Sequence, residues 1–74
     1  MLMETRERND VVEYTKAIYK KGDRIRLIQM KGESLPYGLL GTVDHVDSVG
    51  QIHVNWDNGS GLALILGEDG FVKL

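Results

Sequence analysis

The chain has 74 residues, no cysteine and a net charge of −2, which limits it to one small domain and excludes disulfides and cysteine-ligated zinc as supports. Hydrophobic residues make up 42% and charged residues 27% of the sequence, values typical of a chain that folds. No apolar run approaches the roughly 20 residues that span a bilayer, and the charged run after Met3 does not fit a signal-peptide core. We therefore expect a cytoplasmic protein without membrane insertion.

Basic and acidic residues are unevenly distributed along the chain. Residues 16 to 31 carry six basic side chains and one acid, whereas residues 32 to 74 carry one lysine and six acids. Such sorting can give an acidic protein a basic face, although a merely solvated surface is the more frequent reason for it. A candidate nucleic-acid surface would consist of Lys16, Lys20, Lys21, Arg24, Arg26 and Lys31.

The first twenty residues form a predicted N-terminal arm, because they are rich in charge and contain neither glycine nor proline. The pattern predicts a helix over residues 9–20, with the first eight residues frayed. Asp10 and Glu13 fit a capping box at its start. We expect this helix to dock on the rest of the chain, or on a second copy of it, through three residues at helical spacing: Val11, Thr15 and Ile18.

After Asp23 the pattern changes from helical to alternating and glycines become frequent, which predicts strands. Five short strands are expected over residues 24–27, 41–47, 51–56, 62–66 and 71–74. The third alternates most regularly and points Ile52, Val54 and Trp56 into the core. The fourth is apolar on both faces, so we expect both of its faces to be covered.

Two tight turns are predicted in the second half of the chain. Asn58-Gly59 is a strong signal for a two-residue type I′ hairpin turn, which needs positive φ at both positions. A second turn is expected over residues 48–50.

The hairpin that turns at residues 48–50 needs a β-bulge to keep its apolar residues in register. An uninterrupted pairing from the turn at 48–50 would set Val43 against polar Asn55. One extra residue at Asp44-His45 brings Val43 opposite Val54 instead and keeps both valines in the core, so we predict a β-bulge there.

Five short strands, a long first loop and tight later hairpins predict a mainly β fold, namely a five-stranded SH3-like small barrel over residues 21–74 preceded by the helical arm at 1–20. The chain from about Tyr19 to Leu74 also carries a resemblance, most specifically from Gln51 to Ile65. Its segments include Gly22-Asp23-Arg24-Ile25-Arg26-Leu27, Gly41-Thr42-Val43, Gln51-Ile52-His53-Val54, Trp56-Asp57-Asn58-Gly59-Ser60 and Leu62-Ala63-Leu64-Ile65. They resemble a bacterial family of uncharacterised domains that recurs in phages, prophages and conjugative elements. The Gly-Thr-Val element alone is shared with KOW motifs. The resemblance implies a fold and a genomic context, and no activity.

Catalysis is poorly supported, because the chain lacks a cysteine nucleophile and a glycine-rich loop with phosphate-binding spacing. We expect no enzyme activity, no cofactor and no catalytic residues. The predicted register brings His45 and His53 together on adjacent strands. With Asp44 or Asp47 they could form a metal site or a pH-sensitive pair, although two exposed polar residues are the more frequent outcome.

The long loop at residues 31–40 is the candidate binding site, because it concentrates apolar side chains where loops are usually polar. Tyr37 is the best candidate for an exposed anchor; the alternative is that some of these side chains fold inward. The predicted partner-binding residues are Arg24, Arg26, Leu35, Tyr37, Leu39 and Leu40. They favour a non-enzymatic protein-binding module of a phage or mobile element, acting on a host defence or replication component. A KOW-like nucleic-acid-binding barrel is the second hypothesis.

Overall fold

A computed structural model of the chain describes residues 5–30, 32 and 35–74, with side chains described from Asn9 onward. One helix precedes five strands: α1 (Thr5–Ile18), β1 (Arg24–Gln29), β2 (Leu40–Val46), β3 (Gln51–Trp56), β4 (Leu64–Ile65) and β5 (Gly70–Lys73). The strands form one antiparallel sheet in the order β4-β3-β2-β1-β5. The predicted mainly β fold with one helix is confirmed.

The sheet is open. Its edges are β4 and β5, and no strand ladder joins them in the part of the chain that the structure describes. The predicted closed barrel is therefore not confirmed. Within the same ranges, α1 is too short and too polar to cross a membrane, and no other helix is present.

Helix α1 begins earlier than the sequence predicted. It runs from Thr5 to Ile18, so Asp10 lies inside the helix and is not its N-cap. The residues ahead of Asp10 include arginine and glutamate, which have high helix propensity and extend the helix backwards. Residues 5–8 are helical, contrary to the expected fraying, and residues 1–4 lie outside the described residues.

The docking face of α1 also differs from the predicted one. Val12 and Thr15 are buried, whereas Val11 and Ile18 are 42% and 37% exposed. The helix packs against β2, and Val12 reaches the β2–β3 turn, where a Cβ on Gly50 would lie 3.3 Å from Val12 Cγ2. The Thr15 hydroxyl donates to the carbonyl oxygen of Val11 at 2.8 Å, so burial leaves it satisfied. Of the three predicted docking residues, only Thr15 is correct.

One face of the sheet forms the core, whose buried apolar side chains are Ile25, Leu27, Met30, Val43, Ile52, Val54, Trp56 and Leu64. The predicted common face of Ile52, Val54 and Trp56 is confirmed. Trp56 covers Gly41: a Cβ there would lie 2.7 Å from Trp56 Cε3, closer than real contacts allow. The indole N–H donates to the Leu62 carbonyl oxygen at 2.8 Å, which satisfies the polar edge of the buried ring.

The predicted bulge in β2 is confirmed. Val43 pairs with Val54 and His45 with His53, and the register shifts between Val43 and His45. Asp44 is the extra residue. The bulge therefore keeps both valines in the core and turns both histidines to the outer face.

Residues 57–60 form a hairpin turn, as predicted, but its type differs. The Trp56 N–H donates to the Ser60 carbonyl oxygen at 3.0 Å, and the Gly59 N–H donates to the Trp56 carbonyl oxygen at 2.9 Å. Gly59 has a φ of +90°, and Asn58 does not have positive φ. Three residues thus connect the strands through a type I turn followed by a left-handed glycine, and the type I′ prediction is wrong. Asn58 acts through its side chain, whose Oδ1 accepts the Ser60 N–H at 3.0 Å.

Strand β4 is shorter and more exposed than predicted. It spans only Leu64–Ile65. Leu64 is fully buried, but Leu62, Ile65 and Leu66 are each exposed by 37 to 40%. The prediction that both faces are covered is wrong, because β4 is an edge strand and its outer face has no strand or helix against it among the described residues.

Candidate functional site

Tyr37 lies at the tip of a β-turn that is fixed to strand β1. The Leu39 N–H donates to the Pro36 carbonyl oxygen at 3.2 Å, and Gly38 has a φ of +85°, which together mark a type II turn. Leu27 of β1 accepts from the Gly38 N–H at 2.7 Å and donates to the Leu39 carbonyl oxygen at 2.8 Å. Tyr37 is 76% exposed. The turn therefore presents a large aromatic side chain to solvent from a hydrogen-bonded support.

The leucines around Tyr37 serve a different purpose. Leu35 and Leu39 are partly buried and pack against the core, so they anchor the loop; this is the inward alternative that the sequence left open. Leu40 belongs to β2 and is half-buried on the outer face. The structure thus separates the predicted binding residues into anchors and surface residues.

A row of three side chains crosses the outer face of the sheet near this turn. Arg26 of β1 pairs with Leu40 of β2 on one side and with Val72 of β5 on the other, and paired residues in an antiparallel sheet share a face. Arg26 is exposed and makes no ion pair with any described residue. Val72 is 44% exposed.

We call Tyr37, Arg26, Leu40 and Val72 the Tyr37 surface. Sequence reasoning missed Val72, although the alternation of the last strand could have found it: Phe71 packs against the core and its neighbour faces outward.

Arg24 forms hydrogen bonds within the domain to strand β2 and to the β3–β4 turn. Its Nη1 and Nη2 donate to Oδ1 and Oδ2 of Asp57, both at 2.9 Å, and Nη1 also donates to Thr42 Oγ1 at 2.9 Å. The hydrogen bond to Asp57 raises the pKa of Arg24, and the same bond lowers the pKa of Asp57. Arg24 therefore fastens the β3–β4 turn to β1 across β2, and its charge is compensated within the chain.

The basic residues do not form one free patch. Lys16, Lys20 and Lys21 are exposed, while Lys31 lies outside the described residues. Asp23 accepts the backbone N–H of Lys20 at 2.9 Å and lies 3.1 Å from Lys73 Nζ. Both contacts lower the pKa of Asp23, and the hydrogen bond from Lys20 contributes more. The acid Asp23 thus lies among the basic side chains on this side of the domain.

His45 and His53 contact each other, as predicted from the register. Their rings stack with centroids 4.3 Å apart and planes at 5°. His45 Nδ1 lies 2.6 Å from Asp44 Oδ2, and His53 Nε2 lies 2.8 Å from Asp47 Oδ2. These hydrogen bonds are the largest cause of the lowered pKa of each carboxyl group.

The stacked arrangement of His45 and His53 does not suit chelation of one ion. An imidazole nitrogen binds a metal in the plane of its ring, and two nearly parallel stacked planes do not meet at a shared ion. In the described ranges, no group of three or more His, Cys, Asp or Glu side chains could hold a metal. The four residues form two imidazole–carboxylate pairs in contact.

A family model described as "Domain of unknown function (DUF4314)" matches residues 8–74. The chain belongs to this family. The match begins within α1 and includes all five strands of the DUF4314 domain, so the helix is part of the family pattern and not an addition to it. No curated protein and no solved structure matches the chain. The family description confirms the expected domain of unknown function and assigns no activity.

Proposed function

We propose that this DUF4314 domain is a non-enzymatic binding module that recognises another protein through the Tyr37 surface. The observation that carries the proposal is the 76% exposure of Tyr37 on a turn that two hydrogen bonds fix to β1. An aromatic side chain on a rigid support loses little conformational freedom on binding, so more of its burial contributes to affinity.

The composition of the surface favours a protein partner. Tyrosine and arginine are among the residue types most enriched at binding hot spots, and Arg26, which makes no ion pair with any described residue, lies next to the apolar Leu40 and Val72. A surface that mixes one cation with apolar contacts suits a protein patch better than a phosphate backbone. The resemblance to domains of phages and conjugative elements makes host defence and replication proteins the first partners to test.

Nucleic-acid binding is the weaker alternative. Arg24 is already bonded to Asp57, and Asp23 lies among the lysines at the end of α1. Both acids would oppose a phosphate backbone.

The test is affinity capture from a bacterial lysate with the full chain, compared with Tyr37→Ala and with Val49→Ala. Val49 is 74% exposed in the β2–β3 turn and serves as the control. A true partner is retained by the native chain and by Val49→Ala and is lost with Tyr37→Ala. In a titration of that partner, Tyr37→Ala should weaken binding by about 1–4 kcal/mol with an unchanged melting temperature.

Two outcomes would contradict the proposal. One is partner affinity unaffected by Tyr37→Ala. The other is binding of single- or double-stranded oligonucleotides that weakens steeply with salt and is lost with Lys20→Ala or Lys21→Ala, which would favour the nucleic-acid alternative.

A further inference from the structure

Helix α1 carries a second apolar face that its own sheet does not use. Val11, Tyr14 and Ile18 are 42%, 62% and 37% exposed. They are spaced three and four residues apart, so they lie along one stripe of the helix. The buried docking residues Val12 and Thr15 lie on the neighbouring face. We call Val11, Tyr14 and Ile18 the outer stripe.

The outer stripe has the geometry of a helix–helix contact. A spacing of three and four residues is the narrow seam along which two helices pack. A helix of the 14 residues in α1 is about 21 Å long, so the stripe occupies its central and last turns. A matching helix is the shape that would cover it.

We propose that the outer stripe is a self-association surface, on which α1 of one chain packs antiparallel against α1 of a second copy. Twofold symmetry makes such a contact self-complementary. With Tyr14 at the symmetry axis, Tyr14 faces Tyr14 of the second copy, and Val11 of each copy faces Ile18 of the other.

Charge complementarity selects a second copy in the antiparallel direction. In the sequence, Glu7 continues the three-and-four spacing of the stripe before its first residue, and Lys21 continues it after the last. Arg6 and Arg8 lie off that spacing. Antiparallel packing brings the acidic end of each stripe to the basic end of the other, and it also opposes the two helix dipoles favourably. Parallel packing would place like charges together.

The expected dimer is weak. Three partly exposed side chains per chain bury less than the roughly 1,000 Å² typical of a stable interface, so the dimer should form at high micromolar or higher concentration. The outer stripe is distinct from the Tyr37 surface, so this inference does not depend on the proposed function.

The decisive measurement is sedimentation equilibrium of the full chain over roughly 10 µM to 1 mM. The mass of the native chain should rise from 8.3 kDa towards twice that value. Tyr14→Lys should stay monomeric, and Tyr37→Lys, which changes an exposed tyrosine elsewhere, should dimerise like the native chain. Val11→Lys is the second stripe variant, and circular dichroism verifies that each variant remains folded.

A monomeric native chain at the highest concentration would overturn the proposal, as would a dimer that survives both Tyr14→Lys and Val11→Lys. The direction is tested by charge exchange. Glu7→Lys alone should weaken the dimer at least several-fold, and Glu7→Lys combined with Lys21→Glu should restore it. Failure of the combined variant to recover, in a folded chain, would overturn the antiparallel arrangement.

Discussion

The two hairpins that share β3 reverse the chain in the same way but differ in how far their strands pair beyond the turn. Each has a three-residue connection ending in a left-handed glycine, Gly50 or Gly59, both with a φ of +90°. Past the first turn, β2 and β3 are paired from Val46 and Ile52 to Gly41 and Trp56. Past the second, β3 and β4 pair over only two positions. Turn chemistry therefore decides where the chain reverses, and neighbours decide the length of the pairing: β2 has β1 beside it and α1 packed on it, while β4 ends the sheet.

The largest expected effect is the loss of stability when a buried isoleucine of a central strand, compared with an exposed isoleucine of the edge strand, is replaced by alanine. Ile52 of β3 is fully buried, whereas Ile65 of β4 is 40% exposed. Ile52→Ala should lower the free energy of unfolding by about 2–5 kcal/mol, since it leaves a cavity under the sheet. Ile65→Ala should cost less than about 1 kcal/mol. Urea unfolding measures both. Equal losses would show that the outer face of β4 is covered as fully as the core face of β3.

The difference between the central strands and the edge strand β4 also explains which parts of the fold were predictable from sequence. The bulge at Asp44 followed from one constraint, that Val43 and Val54 both need the core, and a strand buried on one face has a strongly specified register. The contact between His45 and His53 followed from that register. Such inferences succeed where hydrophobic alternation and turn position determine the pairing together.

Sequence reasoning failed where burial depends on which neighbour is present. The helical spacing predicted Val11 as a docking residue, whereas the position of the Gly50 turn selects Val12. The apolar fourth strand looked covered on both faces, but an edge strand of an open sheet leaves Ile65 exposed. The same limit applies to the candidate site: Tyr37 was predictable as exposed, whereas the sequence left open which of the neighbouring side chains pack inward, and the structure shows that Leu35 and Leu39 do.

A smaller effect should distinguish the two turns. Gly50→Ala and Gly59→Ala each place a side chain at positive φ, which costs roughly 1–2 kcal/mol. Gly50→Ala should cost more, because its Cβ would also lie 3.3 Å from Val12 Cγ2, while nothing lies within 4 Å at Gly59. Gly61→Ala is the matched control, with neither positive φ nor a neighbour within 4 Å, and should be close to neutral. A loss at Gly61 equal to that at Gly59 would refute the conformational explanation.

The smallest expected effects come from the aspartate that each hairpin turn carries. Asp47 accepts the N–H groups of Val49 at 3.1 Å and Gln51 at 2.9 Å and contacts His53 at 2.8 Å, whereas Asp57 binds the guanidinium of Arg24. The hydrogen bond to His53 contributes most to the lowered pKa of Asp47, and the hydrogen bond to Arg24 contributes most to that of Asp57.

A carboxyl group whose pKa is lower in the folded state stabilises the fold above its unfolded value, here about 3.8, and this stabilisation is lost as the pH falls through the folded pKa. Asp47→Asn and Asp57→Asn should therefore each melt below the native chain at about pH 5 and approach it at about pH 3. At about pH 5, added salt should reduce the difference in melting temperature between Asp57→Asn and the native chain, because Asp57 and Arg24 form an exposed ion pair that salt screens. The difference for Asp47→Asn should shrink less, because the charged carboxylate of Asp47 is a stronger acceptor than an amide for two backbone N–H groups, and salt does not screen these short hydrogen bonds. Thermal melts at both pH values, in low and high salt, give all four comparisons; equal salt sensitivity of the two variants would show that the two turns are held by the same kind of contact.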